Sequence, residues 1–370
     1  MILFIGIFIG IVVCFLGLRT TGVLYFRRYI AWETANRRGL NYYGKPLPER
    51  QAFKEKIRFQ ARFLIPFLWL ETKLQNKPHD IPSIEYQGVT GPSYSSTRES
   101  FEAAARYRPT ERDIFVATQM KCGTTWMQQI VYEILHKGEG DLTDKGHGHL
   151  YAVSPWIEAV DGVSLEKAPL LGPQGNRILK THLPTKLCPY SESAKYIYVT
   201  RHPVSCFASV ADYFQLMTGF LAPPTSQLVE WYCSDKMWWL SWPENVAGWW
   251  DWAQGRKNVL FFHFEEMKRN LAGAVRKVAQ FLGVDLTGEE LKKVVQKSDF
   301  EFMKENEELF EMSPPNLFSV SGTYFKSGQV DRHETVSEAD KKRILDFCRE
   351  RLSGSTYPAG RFYRAIVEPR

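Results

Sequence analysis

Several features that mark common classes of protein are scarce or missing in this chain. The six cysteines are scattered and none forms a CxxC pair, so neither a zinc site nor a disulfide framework is indicated. Such cysteines are typical of free thiols in a reducing compartment. No asparagine begins an N-x-[ST] sequon, which disfavours residence in a glycosylating lumen. No basic block interleaved with aromatic residues indicates a nucleic-acid partner.

An excess of one charge sign is also missing. The formal net charge is only +6 among 370 residues, which fits an anionic small ligand or an anionic membrane surface. Apolar residues make up 44% of the chain and charged residues 24%, and both values are typical of globular proteins. A chain of this length predicts one domain of about 250 residues with an appendage.

A charge-free segment opens the chain, since residues 1–18 are almost wholly Ile, Phe, Val, Leu and Gly. As a helix it would be about 27 Å long, close to the thickness of a bilayer core. No basic residue precedes it and no A-x-A-like cleavage site follows it, which argues against a cleaved signal peptide. Five arginines lie just beyond it. The length and apolarity of this segment predict a single-pass membrane anchor over residues 1–26. By the positive-inside rule, the arginines that follow predict that the bulk of the chain lies on the cytoplasmic side.

Residues 27–107 are predicted to hold juxtamembrane helices and a linker. Residues 51–74 have a basic first half and an apolar second half interrupted by Pro66. This pattern predicts either a helix lying in the bilayer interface or a helix packed on the main domain, and it leaves both open. Residues 78–100 are rich in Pro, Gly and Ser, as expected of a linker or irregular loop. The main domain is therefore predicted to span residues 108–370.

The most informative segment, residues 114–126, reads I-F-V-A-T-Q-M-K-C-G-T-T-W. It predicts a buried strand, a tight turn with Lys121 and Gly123, and a helix that begins with Thr124 and Thr125. Backbone N–H groups and the helix dipole would converge at this turn, so the segment predicts a phosphate or sulfate site. The lysine precedes the glycine, unlike the G-x-x-x-x-G-K-[ST] order of a standard P-loop. That order points away from an ordinary ATPase.

Strand-like runs at residues 177–179, 196–200 and 259–264 alternate with helical patterns. This alternation predicts an α/β fold with three layers, in which helices flank a parallel sheet. Ligands of such sheets lie beyond the carboxyl ends of the strands. The residues that follow each run are therefore expected to meet in one crevice.

Those residues are chemically suited to hold an anion and move a proton. Lys180 and His182 follow one strand, and Arg201 follows the next. A histidine delivered beside cations that hold an anion is a candidate general base, because neutral imidazole accepts a proton near neutral pH. Histidines in other loops, such as His149, are predicted to be solvated surface residues.

Three motifs, K-C-G-T-T-W, K-T-H-L-P and Y-I-Y-V-T-R-H-P, together resemble the signatures of the cytosolic-type sulfotransferases. Two further segments are similar to that family, S-W-P-E-N-V-A-G-W-W at residues 241–250 and F-F-H-F-E-E-M-K at residues 261–268. The likeness runs in order from about residue 110 to about residue 350. It implies the P-loop-like sulfotransferase fold, with 3′-phosphoadenosine 5′-phosphosulfate as the sulfuryl donor.

The resemblance also implies a role for each matching position. Arg201 and Ser209 would grip the 3′-phosphate, which separates this donor from ATP. His182 would be the catalytic base, with Lys121 and Lys180 beside the transferring group. The positions that would contact the donor are Lys121, Cys122, Gly123, Thr124, Thr125, Trp126, Arg201, Ser209, Phe264, Ser298, Phe300, Lys326, Ser327 and Gly328.

The chemistry of sulfuryl transfer fits these residue types. The base takes the proton of an acceptor hydroxyl while that oxygen attacks in line, and negative charge builds on the departing bridge oxygen. Lys121 and the helix N-terminus would neutralise that charge. A sulfuryl group carries less charge than a γ-phosphoryl group, so no metal ion is required.

Departures from the family pattern leave some alternatives open. Cys122 replaces the usual serine, and its thiol is expected either to be reactive or, as we favour, to pack as a small apolar group. The element at residues 326–328 is the weakest match, and the family's dimer motif is incomplete, so the oligomeric state stays open. The favoured function is transfer to a hydroxyl of a small, apolar or membrane-associated acceptor. The alternatives are a P-loop-type metabolite kinase and a non-catalytic donor-binding module.

Overall fold

The computed structural model describes residues 4–18, 20–22, 24, 42–75, 81–143, 148–160, 165, 168–311, 325 and 333–367. Its strands are β1 (Ser83–Tyr86), β2 (Val89–Pro92), β3 (Asp113–Thr118), β4 (Arg177–Thr181), β5 (Lys195–Thr200) and β6 (Val259–His263). Its helices are α1 (Phe4–Gly22), α2 (Leu47–Gln75), α3 (Arg98–Arg106), α4 (Thr124–Leu135), α5 (Leu150–Val153), α6 (Pro203–Thr218), α7 (Thr225–Tyr232), α8 (Trp242–Gly255), α9 (Phe264–Arg269), α10 (Leu271–Leu282), α11 (Gly288–Lys297), α12 (Phe300–Glu305), α13 (Glu338–Arg351), α14 (Ala359–Phe362) and α15 (Arg364–Val367).

Four of the strands form one parallel sheet in the order β4-β3-β5-β6. The register sets Phe115 of β3 opposite Leu179 of β4 and Tyr196 of β5. Each of these strands coincides with a strand-like run of the sequence to within one or two residues at either end. The prediction of a parallel sheet flanked by helices is therefore confirmed.

The central strand β3 reads D-I-F-V-A-T and is buried along its whole length, as expected of a strand covered on both faces. Its side chains alternate between two apolar cores. Phe115 and Ala117 lie in one core, which also holds most of the buried tryptophans. Ile114 and Val116 lie in the other, beneath α4, α10 and α11. The two-residue period of a strand produces this alternation and puts the sheet in the middle layer.

The hairpin of β1 and β2 lies where the sequence predicts a linker or loop over residues 78–100, so that prediction is wrong for residues 83–92. Val89 of β2 and Phe101 of α3 are fully buried in the core that holds the tryptophans. A Cβ atom at Gly91 would lie 2.5 Å from the Phe101 ring, so only glycine allows this close approach. The glycine that suggested a linker thus permits tight packing.

The two N-terminal helices differ in how they contact the domain. α1 is long and apolar enough to cross a membrane, with a mean hydropathy of 2.1. Its most apolar stretch is 0% buried within the structure. α2 runs through Pro66 without a break. Arg50 and Lys54, in its first turns, are buried, whereas Phe59 and Trp69 are exposed. Of the two alternatives for residues 51–74, packing on the domain holds for the beginning of the helix.

A buried ion pair ties together the amino ends of β3 and β4. Arg177 Nε donates to Asp113 Oδ1 at 2.8 Å, and the Asp113 carboxylate is fully buried. The Tyr107 hydroxyl, just after α3, donates to Asp113 Oδ2 at 2.8 Å and accepts from Arg177 at 2.7 Å. The N–H of Thr110 donates to the same carboxylate oxygen at 2.8 Å. These hydrogen bonds offset the cost of removing the two charges from water.

We expect Asp113→Ala to lower the free energy of unfolding by about 3 kcal/mol, because it leaves the Arg177 guanidinium largely buried without its carboxylate. Chemical denaturation followed by tryptophan fluorescence measures this change. Glu102 and Arg106 on α3 form an exposed pair 2.6 Å apart, so Arg106→Ala is the control and should change the stability little. A loss below about 1 kcal/mol for Asp113→Ala would show that the buried pair contributes no more than an average contact.

Candidate active site

The turn between β3 and α4 has a backbone conformation that few residues adopt. Lys121 has φ +61° and Gly123, which precedes α4, has φ +104°. A Cβ atom at residue 123 would also lie 2.9 Å from the Phe264 ring, so glycine is required there on two grounds. The first hydrogen bond within α4 runs from the Met127 N–H to the Gly123 carbonyl. The N–H groups in the first turn of α4 therefore point to the space before the helix, where its dipole favours an anion.

Hydroxyl groups connect this turn to the carboxyl end of β4. Thr124 Oγ1 lies 2.6 Å from Thr118 Oγ1, at the end of β3. Thr118 in turn contacts His182 Nδ1, through its hydroxyl at 3.2 Å and through its carbonyl at 2.9 Å. All three residues are buried. The predicted helix start and the predicted histidine thus belong to one buried network.

The hydrogen bonds of His182 define its tautomer. A carbonyl oxygen only accepts, so Nδ1 carries the ring proton and donates it to Thr118, which leaves the lone pair on Nε2. Burial, together with the positive charges of Lys180 and Lys121, holds the pKa of His182 well below its usual range. The imidazole is therefore neutral near pH 7, with an unprotonated Nε2.

A fully buried carboxylate fixes the backbone beside this histidine, and the sequence analysis missed it. Glu158 Oε1 accepts the N–H of His182 at 2.6 Å, and Oε2 accepts the Thr181 hydroxyl at 3.0 Å. Thr181 Oγ1 in turn accepts the N–H of Leu183 at 3.0 Å, so one carboxylate fixes three successive residues. Burial raises the pKa of Glu158. Its partners lie 23 and 24 residues away along the chain, so no local pattern marks it.

Each of the three predicted cations lies over an aromatic ring. The distances from the cation to the ring centroid are 5.1 Å for Lys121 and Tyr213, 3.6 Å for Lys180 and Trp156, and 4.6 Å for Arg201 and Phe264. A ring face attracts a cation without cancelling its charge. The three side chains therefore keep their positive charge beside these rings.

Two tryptophans that the sequence analysis did not single out flank the imidazole. The ring of Trp239 lies 4.6 Å from that of His182, and the ring of Trp156 lies 5.2 Å away and perpendicular to it. The backbone N–H of Trp239 donates to the carbonyl of Thr90 in β2 at 2.7 Å. The β1–β2 hairpin therefore positions one wall of the site. The clustering of tryptophans between residues 231 and 252 is the sequence signal that could have found it.

The other predicted aromatic positions lie on the far side of the turn. The rings of Trp126 and Phe264 meet edge to face at 5.2 Å, and Trp126 Nε1 donates to the Ser298 carbonyl at 2.6 Å. The Ser298 hydroxyl is buried and has no hydrogen-bond partner among the residues that the structure describes. Phe300 is half-buried at the start of α12, and its ring lies 6.3 Å from that of Phe325.

The remaining predicted positions lie near Arg201 or outside the described residues. Arg201 is buried just before α6, and its carbonyl accepts Trp242 Nε1 at 3.0 Å. Ser209 is half-buried on α6, about two turns further along. Lys326, Ser327 and Gly328 lie outside the described residues, so their role stays a prediction. Within the described ranges, no cluster of three or more His, Cys, Asp or Glu side chains is arranged to hold a metal ion.

Cys122 packs inside the protein. Its sulfur lies 3.6 Å from the sulfur of Cys206, whose thiol contacts the Met120 carbonyl at 3.3 Å. Burial, and then the contact with Cys206, raises the pKa of the Cys122 thiol well above its usual range. The thiol is therefore protonated near pH 7 and packs as a small apolar group, which is the favoured of the two interpretations.

The prediction that His149 is a solvated surface residue is wrong, because its side chain is fully buried. Its Nε2 lies 2.7 Å from the carbonyl of Glu311, and its Nδ1 accepts the N–H of Tyr151 at 3.0 Å. Burial, with the charges of Arg50 and Lys54, holds the pKa of His149 well below its usual range. The carbonyl partner lies 162 residues later in the chain, so the neighbouring sequence gives no sign of this burial.

Comparisons with proteins of known sequence match the part of the chain that carries these residues. A protein-family model described as a sulfotransferase domain matches residues 111–356. Sulfotransferase 1C2 of Oryctolagus cuniculus is 32% identical over 265 residues, which cover 69% of this chain and 86% of that protein. The 3-alpha-hydroxysteroid sulfotransferase of Cavia porcellus is 31% identical over 264 residues, which cover 69% of this chain and 90% of that protein.

Solved structures share the fold. Mouse sulfotransferase 7A1 complexed with PAP is similar with a TM-score of 0.60 at 21% identity, over 77% of this chain and 98% of that chain. Retinol dehydratase in a complex with retinol and PAP is similar with a TM-score of 0.58 at 18% identity, over 75% of this chain and 93% of that chain. The family model and the related sequences show that this chain belongs to the sulfotransferase family. It is a sulfotransferase enzyme.

Proposed function

We propose that this enzyme moves a sulfuryl group from 3′-phosphoadenosine 5′-phosphosulfate to a hydroxyl of a small, apolar or membrane-associated acceptor. The observation that carries the proposal is the neutral imidazole of His182, with its lone pair on Nε2, in one buried network with a helix N-terminus. In-line transfer to a hydroxyl requires such a base next to an anion site. Two proteins of similar fold were solved with PAP bound, which supports this donor.

The phosphate groups of the donor are assigned to the two cationic ends of the crevice. Lys121 and the first turn of α4 would hold the 5′-phosphosulfate, and Arg201 with Ser209 would hold the 3′-phosphate. The buried Ser298 hydroxyl, which lacks a partner among the described residues, fits a polar group near the adenine. The other proposed donor contacts are Cys122, Gly123, Thr124, Thr125, Trp126, Phe264, Phe300 and, beyond the described residues, Lys326, Ser327 and Gly328.

The acceptor is assigned to the space beside His182. Trp156 and Trp239 flank the imidazole and are both buried, so the walls there are apolar and exclude water. Aromatic walls favour an apolar body, because such a body loses little when it leaves water. These walls support a hydroxyl carried on an apolar body as the acceptor class.

The proposed transfer step exchanges one bond and moves one proton. The acceptor hydroxyl gives its proton to His182 Nε2 while its oxygen forms a bond to sulfur, and the bond between sulfur and the bridging phosphate oxygen breaks. That oxygen leaves with the electron pair, so negative charge grows on the 5′-phosphate. Lys121 and the N-terminus of α4 would stabilise this charge, an effect worth several kcal/mol, roughly, for each well-aimed group. Lys180, held over Trp156, would lie beside the transferring group.

We expect the full-length protein in detergent to bind 3′-phosphoadenosine 5′-phosphate more tightly than ATP or ADP. Only the bisphosphate offers a 3′-phosphate to Arg201, so Arg201→Ala should weaken its binding roughly ten- to hundredfold, the loss expected for hydrogen bonds to a charged group. Isothermal titration calorimetry measures these affinities.

Arg256→Ala is the matched control for this experiment. The Arg256 guanidinium also lies over aromatic rings, 4.8 Å from Tyr190 and 5.0 Å from Trp252, but it precedes the amino end of β6. Its loss should leave the affinity unchanged. Tighter binding of ATP would overturn the donor assignment in favour of the kinase alternative, and equal losses in both variants would remove the specific role of Arg201.

The proposed base predicts a rate loss and a pH profile. His182→Ala should lower the transfer rate by about 10² to 10⁴ and leave binding of 3′-phosphoadenosine 5′-phosphate nearly unchanged, because a base acts in the reaction step. In the unaltered enzyme, kcat/KM should stay level down to the ordinary imidazole pKa of 6.5 and fall only below it, since the lowered pKa of His182 delays its protonation. Rates with simple alcohols and phenols across this pH range test both. A fall in kcat/KM centred above pH 6.5 would contradict the assignment of His182 as a buried neutral base.

We further propose that residues 1–26 anchor the enzyme as a single-pass membrane protein, with the catalytic domain of residues 108–370 on the cytoplasmic side. The length of α1 and its mean hydropathy of 2.1 support the span, and the arginines that follow it support the orientation. Arg58 and Arg62 are exposed one turn apart on α2, and Trp69 is exposed further along. This arrangement supports contact between α2 and an anionic bilayer surface.

The anchor is tested in the full chain. Combining Ile9→Lys with Val13→Lys should release the enzyme from membranes in alkaline carbonate, because each central charge costs roughly 3 kcal/mol in an inserted helix. The control pair, Thr20→Lys with Thr21→Lys, lies at the end of α1 and should stay in the membrane pellet. In sealed vesicles whose cytoplasmic face points outward, protease added to the medium should digest the catalytic domain. Retention of the first variant would remove α1 as the anchor, and protection from protease would reverse the orientation.

A further inference from the structure

Tyr151 lies directly behind the crevice and contacts two of its parts. Its hydroxyl is 3.2 Å from Thr125 Oγ1, in the first turn of α4, and 3.4 Å from Lys180 Nζ. The same ammonium lies 4.6 Å from the centroid of the Tyr151 ring. A lysine ammonium only donates, so the tyrosine oxygen accepts from Lys180, and either hydroxyl can donate in the contact between Tyr151 and Thr125. One buried hydroxyl therefore sets the spacing between the lysine and the helix N-terminus.

The segment that joins the membrane helix to the domain supports Tyr151 from the other side. Tyr43 belongs to a three-residue turn just before α2, and its ring packs edge to face on Tyr151 at 5.1 Å. The Tyr43 ring also lies 4.7 Å from the ring of His149. Tyr43, Tyr151 and Ala152 form a small buried cluster, with Phe53 of α2 packed against it. This cluster is separate from the two main cores on the faces of the sheet.

A fully buried arginine fixes this segment in place. The Arg50 guanidinium donates to the carbonyl of Gly148, to the carbonyl of Glu308 at 2.8 Å and to the carbonyl of Lys45 at 3.3 Å. Backbone carbonyls of three separate chain segments thus meet at one side chain. A buried guanidinium needs such hydrogen-bond acceptors, because no water is available to solvate its charge.

A second chain of contacts leads from α2 to the backbone of Tyr151. Lys54 pairs with the carboxylate of Glu311, and both side chains are buried. The carbonyl of Glu311 contacts His149 Nε2 at 2.7 Å, and His149 Nδ1 accepts the N–H of Tyr151 at 3.0 Å. Nδ1 is an acceptor here, so the ring proton is on Nε2 and points to the carbonyl. The side chain of Tyr43 and the backbone contact through His149 therefore both constrain Tyr151.

We propose that Tyr151 is a positioning residue for the phosphosulfate site, and that residues 42–54 hold it there, which makes the membrane-proximal segment part of the active site. The inference rests on the proposed function, because that function assigns Thr125 and Lys180 to the donor. Loss of the Tyr43 ring opens space behind Tyr151, and the hydroxyl then no longer fixes the distance between Lys180 and α4. The packing of residues 42–54 on the domain and the affinity for the donor are thereby coupled.

The test uses four variants of the full-length protein in detergent. Tyr151→Phe removes the bridging hydroxyl, Tyr43→Ala removes the supporting ring, and Tyr43→Phe restores that ring. Tyr196→Phe is the control, because its buried hydroxyl donates to the Pro189 carbonyl at 2.9 Å near the amino end of β5. Two quantities are measured, the affinity for 3′-phosphoadenosine 5′-phosphate by calorimetry and amide hydrogen exchange of residues 119–127 without any nucleotide.

Tyr151→Phe and Tyr43→Ala should weaken the affinity by roughly three- to tenfold and speed exchange across residues 119–127, while Tyr43→Phe and the Tyr196→Phe control do neither. Changed exchange confined to residues 42–54 and 148–153, with the affinity intact, would overturn the proposal, since Tyr151 would then be structural only. If the unaltered protein binds no bisphosphate, the donor assignment fails. Exchange at residues 119–127 then decides the positioning role by itself, because that measurement needs no ligand.

Discussion

Positive charge gathered at the carboxyl ends of three neighbouring strands is the constraint on which the rest of the structure depends. Lys121, Lys180 and Arg201 and the N-terminus of α4 repel one another, and burial weakens the screening that water would give. Each cation comes from the carboxyl end of a different strand, β3, β4 or β5, and each lies over an aromatic ring. The sheet therefore works as a rigid frame that holds like charges at fixed positions.

The same charges decide the protonation state of the base. Lys180 and Lys121, added to burial, lower the pKa of His182 and keep its imidazole neutral near pH 7. An anion bound beside these cations would offset their charges and make the imidazole a stronger base. Under the proposed function, donor binding and the basicity of His182 would therefore be linked through electrostatics. The buried carboxylate of Glu158 accepts the backbone N–H of His182 and so fixes the position of the histidine backbone.

The sequence predicted those parts of the structure that depend on local pattern. The apolar runs predicted the sheet, and the motif around Lys121 and Gly123 predicted a tight turn followed by a helix start, which the structure forms with positive φ at both residues. Features that depend on distant partners were missed. Glu158 and Tyr151 gain their roles only from contacts across the fold, and Phe101 explains a glycine in a stretch whose composition is that of a loop. Composition reports average tendencies, whereas these contacts are set by one particular packing.

Lys121 illustrates how this site limits the stability of the whole enzyme. At φ +61° a residue with a Cβ atom has a backbone free energy about 1 kcal/mol higher than that of glycine. The chain therefore has a strained lysine at a position where glycine would remove the strain. Selection for heat tolerance alone would favour glycine at this position and discard the ammonium group. Heat tolerance and the positive charge that lies over Tyr213 and acts on His182 are therefore opposed at a single backbone angle.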